Sequence, residues 1–104
     1  MHDMMKIMER ELDNTGLIYI YRESGRWYAY EQSAFFVCQM LRGQVDLGKV
    51  IMNNTLWLTR AEVEIELVPH EYLVSYCADE YVFYYVPDKK FQDYLAGVDP
   101  ITGN

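Results

Sequence analysis

Hydrophobic residues near the start of the chain recur at the three- and four-residue spacing of an amphipathic helix. We predict this helix from about His2 to Asp13, with Asn14-Thr15-Gly16 ending it and Gly16 as a left-handed terminator. Leu17–Tyr21 is apolar at consecutive positions and rich in Ile and Tyr. That composition is typical of a central strand covered on both faces.

A hairpin and a second helix follow. Ser24-Gly25 is a turn signal, so Arg26–Tyr30 is the predicted strand that pairs back on the first. Glu31-Gln32-Ser33 opens a helix, with Ser33 or the residue before it as the N-cap. The apolar stripe of this helix is wide, which indicates burial against a sheet, and Gly43 is expected to end it.

The second half of the chain predicts strands and one more helix. Residues 44–49 look like a polar link. Glu62–Leu67 alternates strictly between acidic and apolar residues, which predicts a strand with one wet acidic face. Tyr72–Cys77 fits either a short helix or a strand. Val50–Met52 and Leu56–Leu58, which flank Asn53-Asn54, fit either two short strands or a bent turn. The remaining predicted elements are a strand at Tyr81–Val86 and a helix at Asp88–Ala96.

This order of elements predicts a single α+β domain over residues 1–104, with residues 98–104 as a frayed tail. We expect a mixed, mostly antiparallel sheet with about three helices packed on it.

Charge is distributed unevenly along the chain. The formal net charge is −7, and residues 61–104 carry all of it, with two basic and nine acidic side chains. A net anion repels the phosphate backbone, so non-specific affinity for nucleic acid should be poor.

The location is expected to be cytoplasmic. No segment approaches the ~18 apolar residues that cross a bilayer, and the N-terminus lacks a secretory pattern. Cys38 and Cys77 each lie in an apolar run, which predicts buried thiols in a reducing compartment.

The first third of the chain resembles a known domain. The matching residues are Met4-Met5, Ile18–Arg22, Ser24–Tyr28, Tyr30 and Ala34. They are similar to the N-terminal mismatch-recognition domain of the MutS DNA-repair family, with its Met-Met helix, its strand ending in Tyr-Arg and its aromatic hairpin. Tyr28–Ala34 has the pattern Tyr-Ala-Tyr-Glu-x-Ser-Ala, by which the chain more closely resembles a group of short uncharacterised bacterial proteins.

This resemblance implies a MutS N-terminal-domain-like fold, a helical Tyr72–Cys77 and contact with DNA. In the family a Phe wedges into the mispaired step and a Glu two residues later bonds the base. Arg26 and Tyr28 stand at these positions here, so that mechanism is absent. None of the family's clamp, lever and ATPase domains matches these 104 residues, so we expect no mismatch-repair ATPase activity from them.

The hairpin supplies the candidate nucleic-acid contacts, which are Arg22, Arg26, Trp27 and Tyr28, with Arg10 and Lys49 as further cations. Arginine beside aromatic rings suits base stacking or a minor groove. The same residues fit an ordinary hairpin whose rings pack across strands and whose arginines are solvated or paired with Glu23 or Glu31.

No catalytic signature is present, so we predict a protein that is not an enzyme and that uses no cofactor or metal. His70 has no accompanying nucleophile motif, and there is no phosphate-binding loop. Two functions remain open. One is a stand-alone module that binds DNA without catalysis. The other is a protein-interaction or self-associating domain, with a protein partner or a homodimer, that has lost DNA binding.

Overall fold

Two helices and six strands make up the part of the chain that the structure, a computed structural model, describes: residues 3–42, 44–51 and 57–86. The helices are α1 (Met4–Leu12) and α2 (Glu31–Met40). The strands are β1 (Leu17–Glu23), β2 (Arg26–Tyr30), β3 (Leu47–Ile51), β4 (Trp57–Val63), β5 (Leu73–Cys77) and β6 (Glu80–Tyr84). Two 3₁₀ turns, Ile65–Leu67 and His70–Tyr72, join β4 to β5.

The strands form one sheet in the order β3-β4-β2-β1-β6-β5, and each neighbouring pair is antiparallel. The α+β class is therefore confirmed, and the sheet has no parallel pair in the described part of the chain. That part contains two α-helices rather than three. The predicted helix 88–96, the tail, Gly43 and Asn53-Asn54 lie outside the described residues.

The β1–β2 hairpin is confirmed as predicted. Ser24 and Gly25 both have positive φ, at 54° and 78°, and Glu23 pairs with Arg26. Such two-residue turns match the right-handed twist of the flanking strands. The turn therefore fixes the register of the pair.

Each helix covers a different face of the sheet. On the α2 face, the buried residues of the main core pack together: Ile18, Ile20, Ala29, Ala34, Val37, Leu41, Val45, Ala61, Val63, Ile65, Val68 and Phe83. On the α1 face, a smaller cluster joins Ile7 of the helix to Tyr21, Tyr30 and Leu58. Burial on both faces confirms that β1 is a central strand.

Both predicted helix boundary residues are wrong. Ser33 lies inside α2 and is fully buried, whereas the N-cap is Tyr30, which makes no side-chain capping bond. Gly16 is not left-handed, and α1 ends with Asp13 as its C-cap. Asn14 organises the turn instead, because its Oδ1 accepts the N–H of Gly16 at 3.2 Å and that of Leu17 at 2.9 Å.

Two strand boundaries also differ from the prediction. The presumed polar link contains buried Val45 and the start of β3 at Leu47. The alternating segment Glu62–Leu67 is strand only as far as Val63 and then turns. The reason is the length of β2: Val63 pairs with Trp27, next to the start of β2, so the chain beyond it has no partner strand.

The ambiguity at Tyr72–Cys77 resolves as a strand. Residues 73–77 form β5, which pairs with β6 and has a register shift between Leu73 and Ser75. The helix implied there by the family resemblance is therefore absent. A hairpin with the strong strand β6 decides the conformation.

A buried polar network joins α1, β1 and α2. The Glu11 carboxylate is only 2% exposed and accepts the Ser33 N–H at 2.8 Å, the Ser33 hydroxyl at 2.5 Å and the Asn14 amide at 3.1 Å. Ser33 Oγ in turn accepts the N–H of Tyr19 at 2.9 Å. Glu11 of α1 thus accepts a first-turn N–H of α2 that Tyr30, the N-cap residue of α2, leaves without a hydrogen bond.

We expect Ser33→Ala to lower the free energy of unfolding by about 2 kcal/mol, because it leaves Glu11 and the Tyr19 N–H buried with fewer partners. Urea denaturation followed by circular dichroism measures this. Ser75→Ala, on exposed β5, is the matched control and should change stability by less than about 0.5 kcal/mol. Equal effects of the two substitutions would contradict a structural role for the network.

The stability contribution of Glu11 should depend on pH. Burial raises the pKa of the Glu11 carboxyl above its ordinary 4.5, against the lowering effect of its hydrogen bonds to Ser33 and Asn14. The native state therefore holds this proton more tightly than the unfolded state. The stability that protonated Glu11 contributes is complete below the pKa that Glu11 has in the unfolded state. It is lost as pH rises through the pKa of Glu11 in the native state.

Glu11→Gln should remove that dependence. As pH rises from 4.5 towards neutrality, the unfolding free energy of the wild type should therefore fall relative to that of Glu11→Gln. Urea titrations at a series of pH values give this difference. A difference that instead grew in favour of the wild type would mean that hydrogen bonding outweighs burial.

Candidate functional site

The structure divides the four predicted contact residues between the two faces of the sheet. Arg22 and Trp27 are cross-strand partners on the α2 face. Arg26 and Tyr28 lie on the α1 face. The division follows from the two-residue period of a strand, since neighbours in sequence point to opposite sides. The four side chains therefore do not form one surface.

On the α1 face, Arg26 and Tyr28 are both engaged with β4. The Arg26 guanidinium lies 3.3 Å from the Glu62 carboxylate, and both side chains are exposed. Neither Glu23 nor Glu31 is its partner in this pair. The guanidinium of Arg60 lies over the Tyr28 ring, 4.3 Å from its centroid. Each hairpin residue on this face thus has an internal partner.

On the α2 face, Trp27 belongs to a row of aromatic rings. It meets the edge of Tyr81 at 4.8 Å between centroids, and Tyr81 stacks with Phe83 at 5.9 Å and with Tyr76 at 5.7 Å. Trp27 and Tyr81 are half-buried, whereas Tyr76 on edge strand β5 is 68% exposed. Arg22 is exposed beside this row. Packing against the core fixes most of these rings.

Arg10 of α1 has partners on β1 and β6. It donates to Glu80 at 2.8 Å and to the Tyr21 hydroxyl at 3.1 Å, and its guanidinium lies 4.2 Å from the Tyr19 ring centroid. Burial raises the pKa of Tyr21 to about 12. Arg10 therefore fastens α1 to the sheet rather than standing free as a nucleic-acid contact.

Tyr30 joins the buried tyrosines to the hairpin. Its hydroxyl donates to Glu23 at 2.8 Å. Burial, together with this carboxylate, raises the pKa of Tyr30 above its ordinary range. The phenol therefore stays protonated and acts as a donor.

An open groove of about 410 Å³ lies on the α1 face, and no residue of α1 is among its lining residues. Its floor includes Tyr28, Gly48 and Arg60. Its remaining lining residues are Gln44, Val45, Asp46, Leu47, Lys49, Glu62, Glu64 and Leu67. Gly48 leaves room there, because an added Cβ would find its nearest atom, the Arg60 carbonyl oxygen, at an ordinary 3.9 Å.

The groove runs beside the sheet edge formed by β3. Among the described strands, β3 pairs with β4 alone, so one row of its N–H and C=O groups has no strand partner. On the α2 face, large apolar side chains lie along this edge: Leu47, Ile51 at 77% exposure and Trp57 at 51%. The Lys49 ammonium lies 4.1 Å from the Trp57 centroid. An exposed apolar group at an open edge is a typical interaction feature.

The chemistry-bearing residues do not assemble into a further site. Cys38 and Cys77 are free thiols, and the prediction that both are buried is wrong because Cys77 is exposed and Cys38 only half-buried. The described residues contain no group of His, Cys, Asp and Glu that could hold a metal ion. Within that same part of the chain, no helix has the length and apolarity needed to span a membrane.

Sequence reasoning missed the β3 edge and the groove. The sequence shows no strict alternation there, because Ile51 follows Val50 and Trp57 stands between Leu56 and Leu58. That β3 forms an edge depends on pairing between distant segments.

Comparison of the chain with protein-family models, curated proteins and solved structures found no match.

Proposed function

We propose that this chain is a non-catalytic interaction domain that binds a protein partner through the open edge of β3. The observation that carries the proposal is that β3, whose backbone has no second strand partner among the described residues, lies beside exposed Ile51 and Trp57. Open edges attract strands, and monomeric proteins usually protect them. A partner strand on β3 would satisfy the backbone and cover these side chains.

The engagement of the cations favours a protein over a nucleic acid. Arg26 pairs with Glu62, Arg10 pairs with Glu80, and Arg60 lies over Tyr28. Phosphate contacts would have to break these interactions. The net charge of −7 adds a general repulsion.

The absence of catalysis is also part of the proposal. Among the described residues, the groups with raised pKa values are Arg10, Glu11, Tyr21 and Tyr30, and each of them is hydrogen-bonded within the fold. His70 Nδ1 lies 2.9 Å from the Val68 carbonyl oxygen. Such contacts suit structural roles, because a catalytic group has to reach its substrate.

The second candidate is a stand-alone MutS N-terminal-domain-like module that binds DNA. One observation favours it: Arg22 and Trp27 share the α2 face with exposed Tyr76. Rings and a guanidinium on one surface suit stacking on bases. The family's Phe and Glu positions, held here by Arg26 and Tyr28, lie on the other face and are engaged with β4.

A photoreactive residue should identify the partner side of the molecule. We expect benzoylphenylalanine at position 51 to cross-link a distinct protein in an extract of the source cells, because this position borders the open edge. The same probe at position 12 is the control, since Leu12 on α1 is 78% exposed and Ile51 is 77% exposed. Gel analysis with mass spectrometry reads the adducts.

Adding Trp57→Lys to the position 51 probe should abolish its adduct. It removes an apolar contact at an exposed site and so should leave the fold intact. Identical adducts from positions 51 and 12, or none from either, would overturn the proposed edge.

DNA binding is tested separately by fluorescence anisotropy with homoduplex, mismatched duplex and single-stranded DNA at low and high salt. We expect no binding tighter than about 100 μM at low salt, because Arg10, Arg26 and Arg60 are engaged within the fold and the chain is anionic.

Arg22→Ala and Arg26→Ala form a matched pair, because each removes one charge from a different face. Salt-sensitive binding at micromolar concentrations that Arg22→Ala weakens and Arg26→Ala leaves unchanged would establish the second candidate. Loss only in Arg26→Ala would place DNA on the α1 face.

A further inference from the structure

A strand added to β3 would meet two different surfaces. Its side chains would alternate between the two faces of the sheet. On the α2 face they would lie beside Leu47, Lys49 and Ile51. On the α1 face they would lie beside Gly48 and Val50, where the groove opens. The two surfaces therefore select alternate residues of the partner.

The α2-face side of the edge is apolar. Ile51 and Trp57 are cross-strand neighbours and are both largely exposed. The ammonium of Lys49 is already placed over the Trp57 ring. Valine, isoleucine or leucine on the partner would bury this surface, and burial of apolar area is the main source of affinity at such contacts.

The α1-face side favours cations. Asp46, Glu62 and Glu64 line the groove, and of these Glu62 also pairs with Arg26. Of the two cations that line it, Arg60 lies over Tyr28 and Lys49 lies over Trp57 on the other face of the sheet. Gly48 adds no side chain, so a long lysine or arginine from a partner strand has space to enter. The carboxylates then complement its charge.

A second copy of this chain fits the edge poorly. Full antiparallel overlap of two β3 strands places Lys49 opposite its own counterpart, and like charges directly opposite are destabilising. It would also bring together two groove walls that carry the same carboxylates, on chains of net charge −7. The charge pattern thus favours a different, basic partner.

We infer that the β3 edge binds an extended peptide segment that alternates apolar and basic residues, with the apolar residues on the α2 face and the basic residues in the groove. This inference rests on the proposed function and specifies its partner class. The segment pairs with β3 as an additional antiparallel or parallel strand. The backbone supplies general affinity, and the two surfaces supply the selectivity.

Synthetic peptides test this inference directly. The probes are fluorescent peptides of about nine residues: one alternates Val and Lys, one has the same composition in two blocks, and one alternates Val and Glu. Anisotropy titration should show binding of the alternating Val-Lys peptide, at least about tenfold weaker binding of the block peptide, and none of the Val-Glu peptide. Amide shifts in NMR spectra should change along residues 47–51.

Protein variants locate the site. Gly48→Tyr fills the groove at a position without a close contact and suits a strand, so it should keep the melting temperature and reduce affinity about tenfold or more. Ile51→Lys should do the same through the apolar surface, with Leu12→Lys as its control. The double variant Glu62→Gln with Glu64→Gln should weaken binding, whereas Glu9→Gln on exposed α1 should not.

Several results would overturn the inference: equal binding of the block peptide, preference for Val-Glu, full affinity in folded Gly48→Tyr, no binding, or a dimer of the free protein that Ile51→Lys disrupts. The cross-linking result separates its failure from that of the proposed function. A partner captured only from position 51, together with failed peptides, would refute the peptide class and leave the edge in place.

Discussion

The arrangement of the domain depends on one buried carboxylate. Glu11 brings a charge-bearing group into the interior, which costs several kcal/mol unless hydrogen bonds compensate. Ser33 and Asn14 provide them, and the partial positive charge at the start of α2 adds to them. Because Glu11 is on α1 and Ser33 on α2, this single group fixes the two helices on opposite faces of β1.

The position of α1 determines which part of its face of the sheet this helix covers. Glu11 holds one end of the helix at the start of α2, and Arg10 holds it to Tyr21 and Glu80 over β1 and β6. The helix has nine residues and spans only part of the sheet. Within the described part of the chain, no helix covers the α1 face of β3 and β4 around Gly48 and Arg60, where the groove forms. The groove and the edge are consequences of a short helix placed over one half of a wide sheet.

Local patterns were sufficient for much of the fold. They predicted α1, the β1–β2 hairpin with its Ser24-Gly25 turn, and α2, since each depends on spacing or turn chemistry within a few residues. Local patterns failed where pairing between distant segments determines whether a residue belongs to a strand. The end of β4 at Val63 depends on where β2 begins, and the strand at residues 73–77 depends on β6.

The candidate site shows the same limit. The strand period already separates Trp27 from Arg26 and Tyr28, so the division between faces was readable from the sequence. The partners of these side chains were not, because Glu62 and Arg60 are more than thirty residues away along the chain. The role of Glu11 as hydrogen-bond acceptor for the first turn of α2 could not be predicted either, because capping rules consider only residues next to the helix.

An exposed edge with Ile51 and Trp57 carries a risk of aggregation, and the charge distribution limits it. Two copies meeting at β3 would oppose their Lys49 residues and their groove carboxylates. The groove carboxylates would attract the basic strand that we propose as the partner, whereas Lys49 would not. In that proposal the carboxylates both repel a second copy of this chain and favour a basic partner, so selectivity at this edge would require no additional structural element.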